Sequence, residues 1–286
     1  MEVFENYDLT SHNSYKIKAS CRRAFFPSSE SDFLSIYQSH PDSKKVILGG
    51  GYNIILSKPY YDEDFILLNE GFANVKVTDG HIMEVEAGAN TIRLSELAWE
   101  HGLTGMEIFY DIPSSLGGAV VMNAGASGEE IKDILTKVRY LDLADLKVRE
   151  IKKEDIGFEY RNSFFQKNVD KIVLKAWLQL AVGDKAAIKE KMDRVKEARW
   201  AKQPKEFPNA GSVFKRPPGF YVGQMIEELG LKGFSVGGAK VSEKHGGFII
   251  NHASATGADI LELINIVKHK VHSKFGVELE VEQRVI

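Results

Sequence analysis

Ala201-Lys-Gln-Pro-Lys-Glu-Phe-Pro-Asn-Ala-Gly-Ser-Val-Phe-Lys215 is the stretch on which the reading of this chain turns. Its two prolines stiffen the approach to a small Asn209-Ala210-Gly211 turn, which presents a single hydroxyl, Ser212. Alone, the stretch reads as an ordinary turn. Two further small-residue segments change its weight: Pro113-Ser-Ser-Leu-Gly-Gly-Ala-Val-Val-Met-Asn-Ala-Gly-Ala-Ser-Gly128 and Leu48-Gly-Gly-Gly-Tyr-Asn53. Three such segments in one chain imply a large, phosphate-bearing ligand held by main-chain groups.

Gly49, Gly50 and Gly51 follow a strand-like run, and exposed N–H groups in such a loop can line an anion-binding concavity. A tight turn between strands is the competing reading. The loop is neither a Walker loop, which needs Gly-Lys-Ser/Thr, nor a dinucleotide fingerprint opening a helix. In the second segment Ser114 and Ser115 supply hydroxyls, and Gly117-Gly118 permits close backbone approach. Asn123-Ala124-Gly125 repeats the element that precedes Ser212, which favours ligand contact over a merely tight-packed helix or turn. Tyr160-Arg161 sets a fixed cation among aromatics. Arg161 suits a bidentate pair with a carboxylate, and equally suits structural pairing or stacking on Tyr160. In Leu279-Glu-Val-Glu-Gln-Arg284, Glu278, Glu280 and Glu282 share one face, so periodicity does not choose among them.

Bulk properties narrow the classes. At 286 residues the chain accommodates two or three compact units. Apolar content of 43% and charged content of 27% are those of an ordinary globular protein. A net charge of −3 without like-charge runs argues against nucleic-acid or membrane partners. The first residues lack the pattern of a signal peptide, and no apolar run approaches membrane-spanning length. A lone cysteine, Cys21, excludes an intramolecular disulfide and points to a reducing, cytoplasmic setting; it reads as a packed residue rather than a nucleophile. No metal site is expected: His269 and His272 lie three apart on a predicted helix without further ligands, as on a solvated face.

The pattern is α+β rather than strict βαβ alternation. Strands are expected at 46–48, 65–68, 75–77, 81–87, 138–143, 148–151 and 172–180, with a tight hairpin turn around Thr78-Asp79-Gly80. Helices are expected at 91–101, at 185–202 behind Asp184, across Val222, Met225, Ile226 and Leu229, and from Thr256 along Ile260, Leu263, Ile264, Val267 and Val271. A closing strand is expected over 277–286. Composition shifts near Asn69-Glu70-Gly71 and Gln203-Pro204 suggest three units, taken as 1–70, 71–200 and 201–286.

The ordered motifs resemble the UDP-N-acetylenolpyruvoylglucosamine reductase family over nearly the whole chain. They are Gly49-Gly-Gly-x-Asn-x-x-Leu56, Ser115-Leu-Gly-Gly-Ala119 with Asn123-Ala-Gly125, Tyr160-Arg161, Asn209-Ala-Gly-Ser-Val-Phe-Lys215, Ile226-Glu-Glu-Leu-Gly-Leu-Lys-Gly233, Gly237-Gly-Ala-Lys-Val-Ser242, His245-Gly-Gly-Phe-Ile-Ile-Asn251 and the closing glutamate segment. The resemblance implies a vanillyl-alcohol-oxidase-type FAD-binding fold of two αβ subdomains, with a C-terminal αβ substrate domain whose last strand returns to the active site. It implies non-covalent FAD beside Gly49, Gly50, Gly51, Tyr52, Asn53, Ile54, Ser114, Ser115, Gly117, Gly118, Asn123, Gly125 and Ala126. NADPH would reduce the flavin and leave, and UDP-N-acetylglucosamine enolpyruvate would then occupy the same site, in a step of peptidoglycan precursor synthesis.

Hydride addition to the terminal enolpyruvyl carbon leaves enolate-like charge that must be stabilised and then protonated. By resemblance, Ser212 is the proton donor, Arg161 holds the substrate carboxylate and Glu282 is the catalytic glutamate. Tyr160, Lys202, Asn209, Lys215 and Arg216 would face the substrate, in a cytoplasmic monomer. The chain departs from the family pattern in several places. Asn-Thr-Phe-x-Ile-Gly-Gly reads Asn13-Ser14-Tyr15-Lys16-Ile17-Lys18-Ala19, and Pro-Gly reads Pro113-Ser114. Lys-Asn-Pro reads Lys215-Arg216-Pro217, and the closing Glu-Val-Arg reads Glu282-Gln283-Arg284. The long tyrosine-bearing insertion of larger members is absent between 166 and 200. Two alternatives stay open here: a same-fold flavin oxidoreductase on another substrate, and a catalytically silent nucleotide-sugar binder.

Overall fold

Alternating apolar positions build the largest sheet of the protein, which in the computed structural model is described over residues 1–78 and 81–286. Five antiparallel strands run in the order Lys147–Lys152, Leu135–Asp142, Lys171–Gln179, Ile82–Glu86, Val75–Thr78. Val138 faces Ala176, which faces Val85, so one fully buried apolar row crosses three strands. The even positions Ile172, Leu174, Ala176, Leu178 and Leu180 are buried as their alternation predicts. The strands at 75–78 and 82–86 pair as the expected hairpin; Asp79 and Gly80 of its turn lie outside the described residues. A second sheet takes the order Glu2–Asp8, Ser20–Phe26, Tyr60–Leu67, Lys45–Leu48.

The chain divides into two compact units. One comprises Met1–Val3, Phe25–Gly50 and Phe65–Ala198; the other comprises Phe4–Ala24, Gly51–Asp64 and Arg199–Ile286. The expected C-terminal part, 201–286, therefore falls in the second unit together with two N-terminal segments.

In the first unit the helix Thr91–Glu100 begins where the Asn90 side chain accepts from the N–H groups of Ile92 and Arg93. It buries Leu94 and Ala98. Asp184 caps the charged helix Lys185–Lys202 by accepting from Ala187 N at 2.9 Å, and Ile188 and Met192 are its buried residues. A helix that the sequence pattern does not announce, Glu30–Ser39, has a Ser29/Asp32 capping box and buries Phe33 and Ile36. Phe33, Leu34, Ile36 and Tyr37 all pack toward the core, but they span little more than one turn, too short a run to establish a period. Likewise the unanticipated strand Glu2–Asp8 is exposed along nearly all its length and carries no apolar alternation.

In the second unit the antiparallel strands Ser235–Val236, Ala239–Val241 and Ile249–Asn251 pack with the helices Val222–Glu228 and Gly257–Phe275. Thr256 and Asp259 form the N-terminal capping box of the long helix, and Gly276, at φ +66°, ends it. The buried face is the predicted one, from Ile260 to Val271. The expected closing strand is corrected. Only Arg284–Val285 is a strand, parallel to Ile54–Ile55, with an isolated bridge between Val281 and Phe214. The segment changes partners midway: Lys215 N donates to Glu280 O and Glu282 N to Val213 O, whereas Arg284 N donates to Asn53 O and Ile286 N to Ile55 O. A switch of partners leaves no run long enough for one ladder.

Candidate active site

The segment Pro113–Gly128 owes its shape to its small residues. Ser115 is buried and caps the helix Leu116–Met122, its Oγ accepting from Gly118 N at 3.2 Å. Ser114 Oγ donates to the Ser115 carbonyl at 2.8 Å. Gly117 N donates to Ala87 O, and a Cβ at Gly117 would press on the Ala87 side chain. A Cβ at Gly49 would collide with the Ser115 hydroxyl, so within the first unit the glycine loop and this helix start touch directly. The backbone N–H groups of Gly49 and Gly50 in this unit, and of Gly51 and Tyr52 in the other, donate no backbone hydrogen bond among the described residues.

The helix ends at Asn123, which is fully buried and left-handed at φ +46°. Its amide donates to Glu130 Oε2 and to Glu159 O, both at 2.9 Å. Glu159–Asn162 is a tight turn closed by reciprocal backbone bonds, and Arg161 takes the left-handed corner at φ +54°, where glycine is usual. The Arg161 guanidinium donates to Gly125 O at 2.7 Å and to Asn123 O at 3.3 Å. It lies 3.7 Å from Glu130 Oε1 and over the Tyr160 ring. Thus 123–126 and 160–161, far apart in sequence, meet in the first unit. The structural pairing and stacking foreseen as one reading of Arg161 are both present.

The second unit holds Gly51, Tyr52, Asn53, Ile54, Lys202, Asn209, Ser212, Lys215, Arg216 and Glu282. Asn209 folds its own turn: Nδ2 donates to Pro204 O and Phe207 O, and Oδ1 accepts from Gly211 N at 3.1 Å. Gly211 stands at φ +77°. After it, Val213 N donates to Gly247 O and Val213 O accepts from Glu282 N at 2.8 Å. Ser212 is exposed, and its hydroxyl makes no hydrogen bond among the described residues. The Glu282 carbonyl accepts from Asn53 Nδ2 at 3.2 Å. Lys215 pairs with Glu280 at 2.6 Å, Arg216 stacks over Tyr221, and Lys202 is exposed at its helix end.

Several buried or half-buried residues of this unit do not stand out individually in the motifs. Asn13 closes the N-terminal loop, donating to Leu9 O and Ile17 O at 3.0 Å and accepting from Ile17 N. Gly51, at φ +67°, packs so close to His12 that a Cβ would overlap its carbonyl. Asn251, Tyr15 and Gln283 tie that loop to the turn bearing Ser212. The sequence signal for them is weak: Asn251 ends a motif, and Tyr15 and Gln283 occupy positions where motifs depart from pattern.

Cys21 is fully buried, and burial pushes its thiol up to about 11, as suits a packed residue. His272 pairs with Glu278 at 2.9 Å on an exposed helix face. Among the described residues no group of three or more His, Cys, Asp or Glu residues is placed to hold a metal ion, and no helix is long and apolar enough to cross a membrane.

Comparison with known proteins bears on the family and the fold. Residues 22–152 match the FAD binding domain, and residues 203–286 match the UDP-N-acetylenolpyruvoylglucosamine reductase C-terminal domain. The UDP-N-acetylenolpyruvoylglucosamine reductase of Caldanaerobacter subterraneus subsp. tengcongensis is 40% identical over 100% of this chain and 94% of its own length. That of Francisella tularensis subsp. tularensis is 39% identical over 99% of both. The crystal structure of the reductase from Thermus caldophilus superimposes with a TM-score of 0.83 at 30% identity, covering 99% of this chain and 98% of that one. The expected α+β fold with its FAD-binding part is borne out. With identity near 40% along its full length, this chain belongs to the UDP-N-acetylenolpyruvoylglucosamine reductase family.

Proposed function

We propose that the protein catalyses the NADPH-driven, FAD-dependent reduction of UDP-N-acetylglucosamine enolpyruvate to UDP-N-acetylmuramate, an oxidoreductase step of peptidoglycan precursor synthesis. The observation that carries this reading is the full-length likeness to reductases of that name. When bound, FAD supplies the hydride that it has taken from NADPH. The amides of Gly49 and Gly50, which donate no backbone hydrogen bond among the described residues, suit a pyrophosphate, and the small-residue helix start at 114–118 lets backbone come close to a planar ring. We assign cofactor contact to 49–54 and to Ser114, Ser115, Gly117, Gly118, Asn123, Gly125 and Ala126, within FAD-binding subdomains 1–70 and 71–200 and a substrate domain 201–286.

The reacting substrate develops negative charge on its carboxylate and on the carbon beside it, and one proton must arrive there. Ser212 suits the donor role because its hydroxyl is open while the backbone on both sides is bonded. Arg161, a planar cation half-buried and oriented by two carbonyls, suits the carboxylate. Glu282, pinned through its N–H to Val213 O, suits the carboxyl partner that donates a hydrogen bond to the same group. Tyr160, Lys202, Asn209, Lys215 and Arg216 are assigned to substrate binding, with Lys202 toward the nucleotide end. We place the protein in the cytoplasm as a monomer serving cell-wall growth, cell shape and division.

The first test is NADPH oxidation by purified protein with and without the enolpyruvyl nucleotide. Oxidation that ignores the nucleotide would defeat the reading. The Ser212→Ala variant is expected to keep flavin reduction by NADPH and to lose turnover by about 10²- to 10⁴-fold, the usual contribution of a positioned proton donor.

A further inference from the structure

The turn that presents Ser212 is held from behind by two buried polar residues with no assigned part in the reaction. Tyr15 is fully buried and Gln283 is 4% exposed. The Tyr15 hydroxyl donates to Gln283 Oε1 at 3.0 Å. Gln283 Nε2 in turn donates to Ala210 O at 3.0 Å and to Gly211 O at 3.2 Å. The circuit closes on the other side, since Asn251 Nδ2 donates to Tyr15 O and Asn251 N donates to Pro208 O, both at 2.8 Å. Gln283 and Asn251, both bonded to Tyr15, thus grip the carbonyls of 208, 210 and 211, the residues leading into Ser212.

The orientation of the Gly211 carbonyl is the orientation of the peptide plane that carries Ser212 N. Gly211 has no side chain to restrict that plane, so the Gln283 amide sets it. Beyond Ser212 the bonds of Val213 to Gly247 and Glu282 fix the other side. Burial makes the circuit demanding: a carboxamide enclosed at 283 without its partners leaves unsatisfied polar groups, so the arrangement is kept in one state. An open hydroxyl on a backbone held at both ends is a preorganised donor.

We propose that Gln283, itself oriented by the Tyr15 hydroxyl, is a positioning residue that aims the Ser212 hydroxyl for proton delivery; this rests on Ser212 being the proton donor. Tyr15→Phe removes one oxygen and leaves the ring volume intact. Gln283→Met keeps the length and removes both polar ends. In flavin-loaded enzyme, the oxidative half-reaction with the enolpyruvyl nucleotide is expected to slow by about tenfold in Tyr15→Phe and by about tenfold to 10²-fold in Gln283→Met, the scale of a misplaced reacting group. Flavin reduction by NADPH stays unchanged, the solvent isotope effect on turnover rises, and amide exchange across 209–213 quickens. Placed on Ser212→Ala, neither change costs further turnover, because the group they aim is gone.

Equal losses in the Ser212→Ala background, or unchanged turnover in Tyr15→Phe and Gln283→Met, overturn the positioning role and leave Ser212 as donor. Full turnover in Ser212→Ala alone overturns the donor reading, and the proposal with it. Because Tyr15→Phe preserves volume, the test stands on that variant if Gln283→Met does not fold.

Discussion

The tripeptide Asn-Ala-Gly occurs twice among the motif residues, once in each unit, and is used in two ways. At 123–125 the asparagine is fully buried, left-handed and ends a helix, and its amide reaches out to Glu130 and Glu159. At 209–211 the asparagine bonds only within its own loop, and the glycine takes the left-handed angle. In both, main-chain carbonyls of the tripeptide face a side-chain donor: the Arg161 guanidinium in the first unit, the Gln283 carboxamide in the second. The difference is charge. The first element holds a cation in place beside Glu130, whereas the second is clamped by a neutral amide that adds no charge beside the serine.

Among changes that test this difference between the two elements, loosening the cationic clamp should have the largest effect. Arg161→Lys keeps the charge but loses the planar fork that spans Asn123 O and Gly125 O, so turnover of the enolpyruvyl nucleotide is expected to fall by about 10²-fold. Unchanged steady-state kinetics would reduce the first element to a packing device.

A gentler comparison sets the two asparagines against each other in urea unfolding. Asn123→Ala strands buried partners and forces alanine into a left-handed angle, an expected loss of about 2–3 kcal/mol; Asn209→Ala, half-exposed, loses about 1 kcal/mol. Asn123→Gly should recover up to about 1 kcal/mol of the first loss, since glycine accepts that angle freely. Equal losses at 123 and 209 would erase the distinction.

The smallest effect is a pH dependence confined to the second element. His245 Nδ1 accepts from Gly247 N at 3.0 Å, and Gly247 O receives Val213 N. Burial, followed by the charges of Lys232 and Lys202, holds this imidazole below the ordinary histidine range, against a bond to its own backbone that acts upward. The folded protein therefore prefers neutral His245. Its contribution is complete above the unfolded value, about 6.5, and is lost as pH falls from there through the folded value. His245→Asn keeps an acceptor without a titrating proton, so its stability measured between pH 7 and 5 should vary less.

Long periodic elements are legible in the residues themselves. The even-numbered apolar run at 172–180, the Asp184 and Thr256 caps and the face from Ile260 to Val271 follow from side-chain direction and from capping chemistry. Expectation fails where local pattern carries little information. The apolar face of Glu30–Ser39 spans little more than one turn, from Phe33 to Tyr37, Glu2–Asp8 is exposed nearly throughout, and the closing segment changes hydrogen-bond partners halfway. The motif residues 49–54, 114–126, 160–161 and 209–216 can be named from sequence, but most of their hydrogen bonds cannot. Asn209 reads as a substrate contact and in the folded chain closes its own loop.

The residues by themselves determined the α+β pattern and the order of the small-residue, serine and arginine motifs, and it is the resemblance of those ordered motifs to a known family that named the family and its FAD-binding fold. Only the tertiary structure decided how those residues are held. Tyr15 and Gln283 stand 268 positions apart, and nothing local announces that a phenol and a carboxamide will meet behind Ser212. Periodicity and capping act over a few residues, whereas satisfaction of buried polar groups is settled only when distant segments close around them.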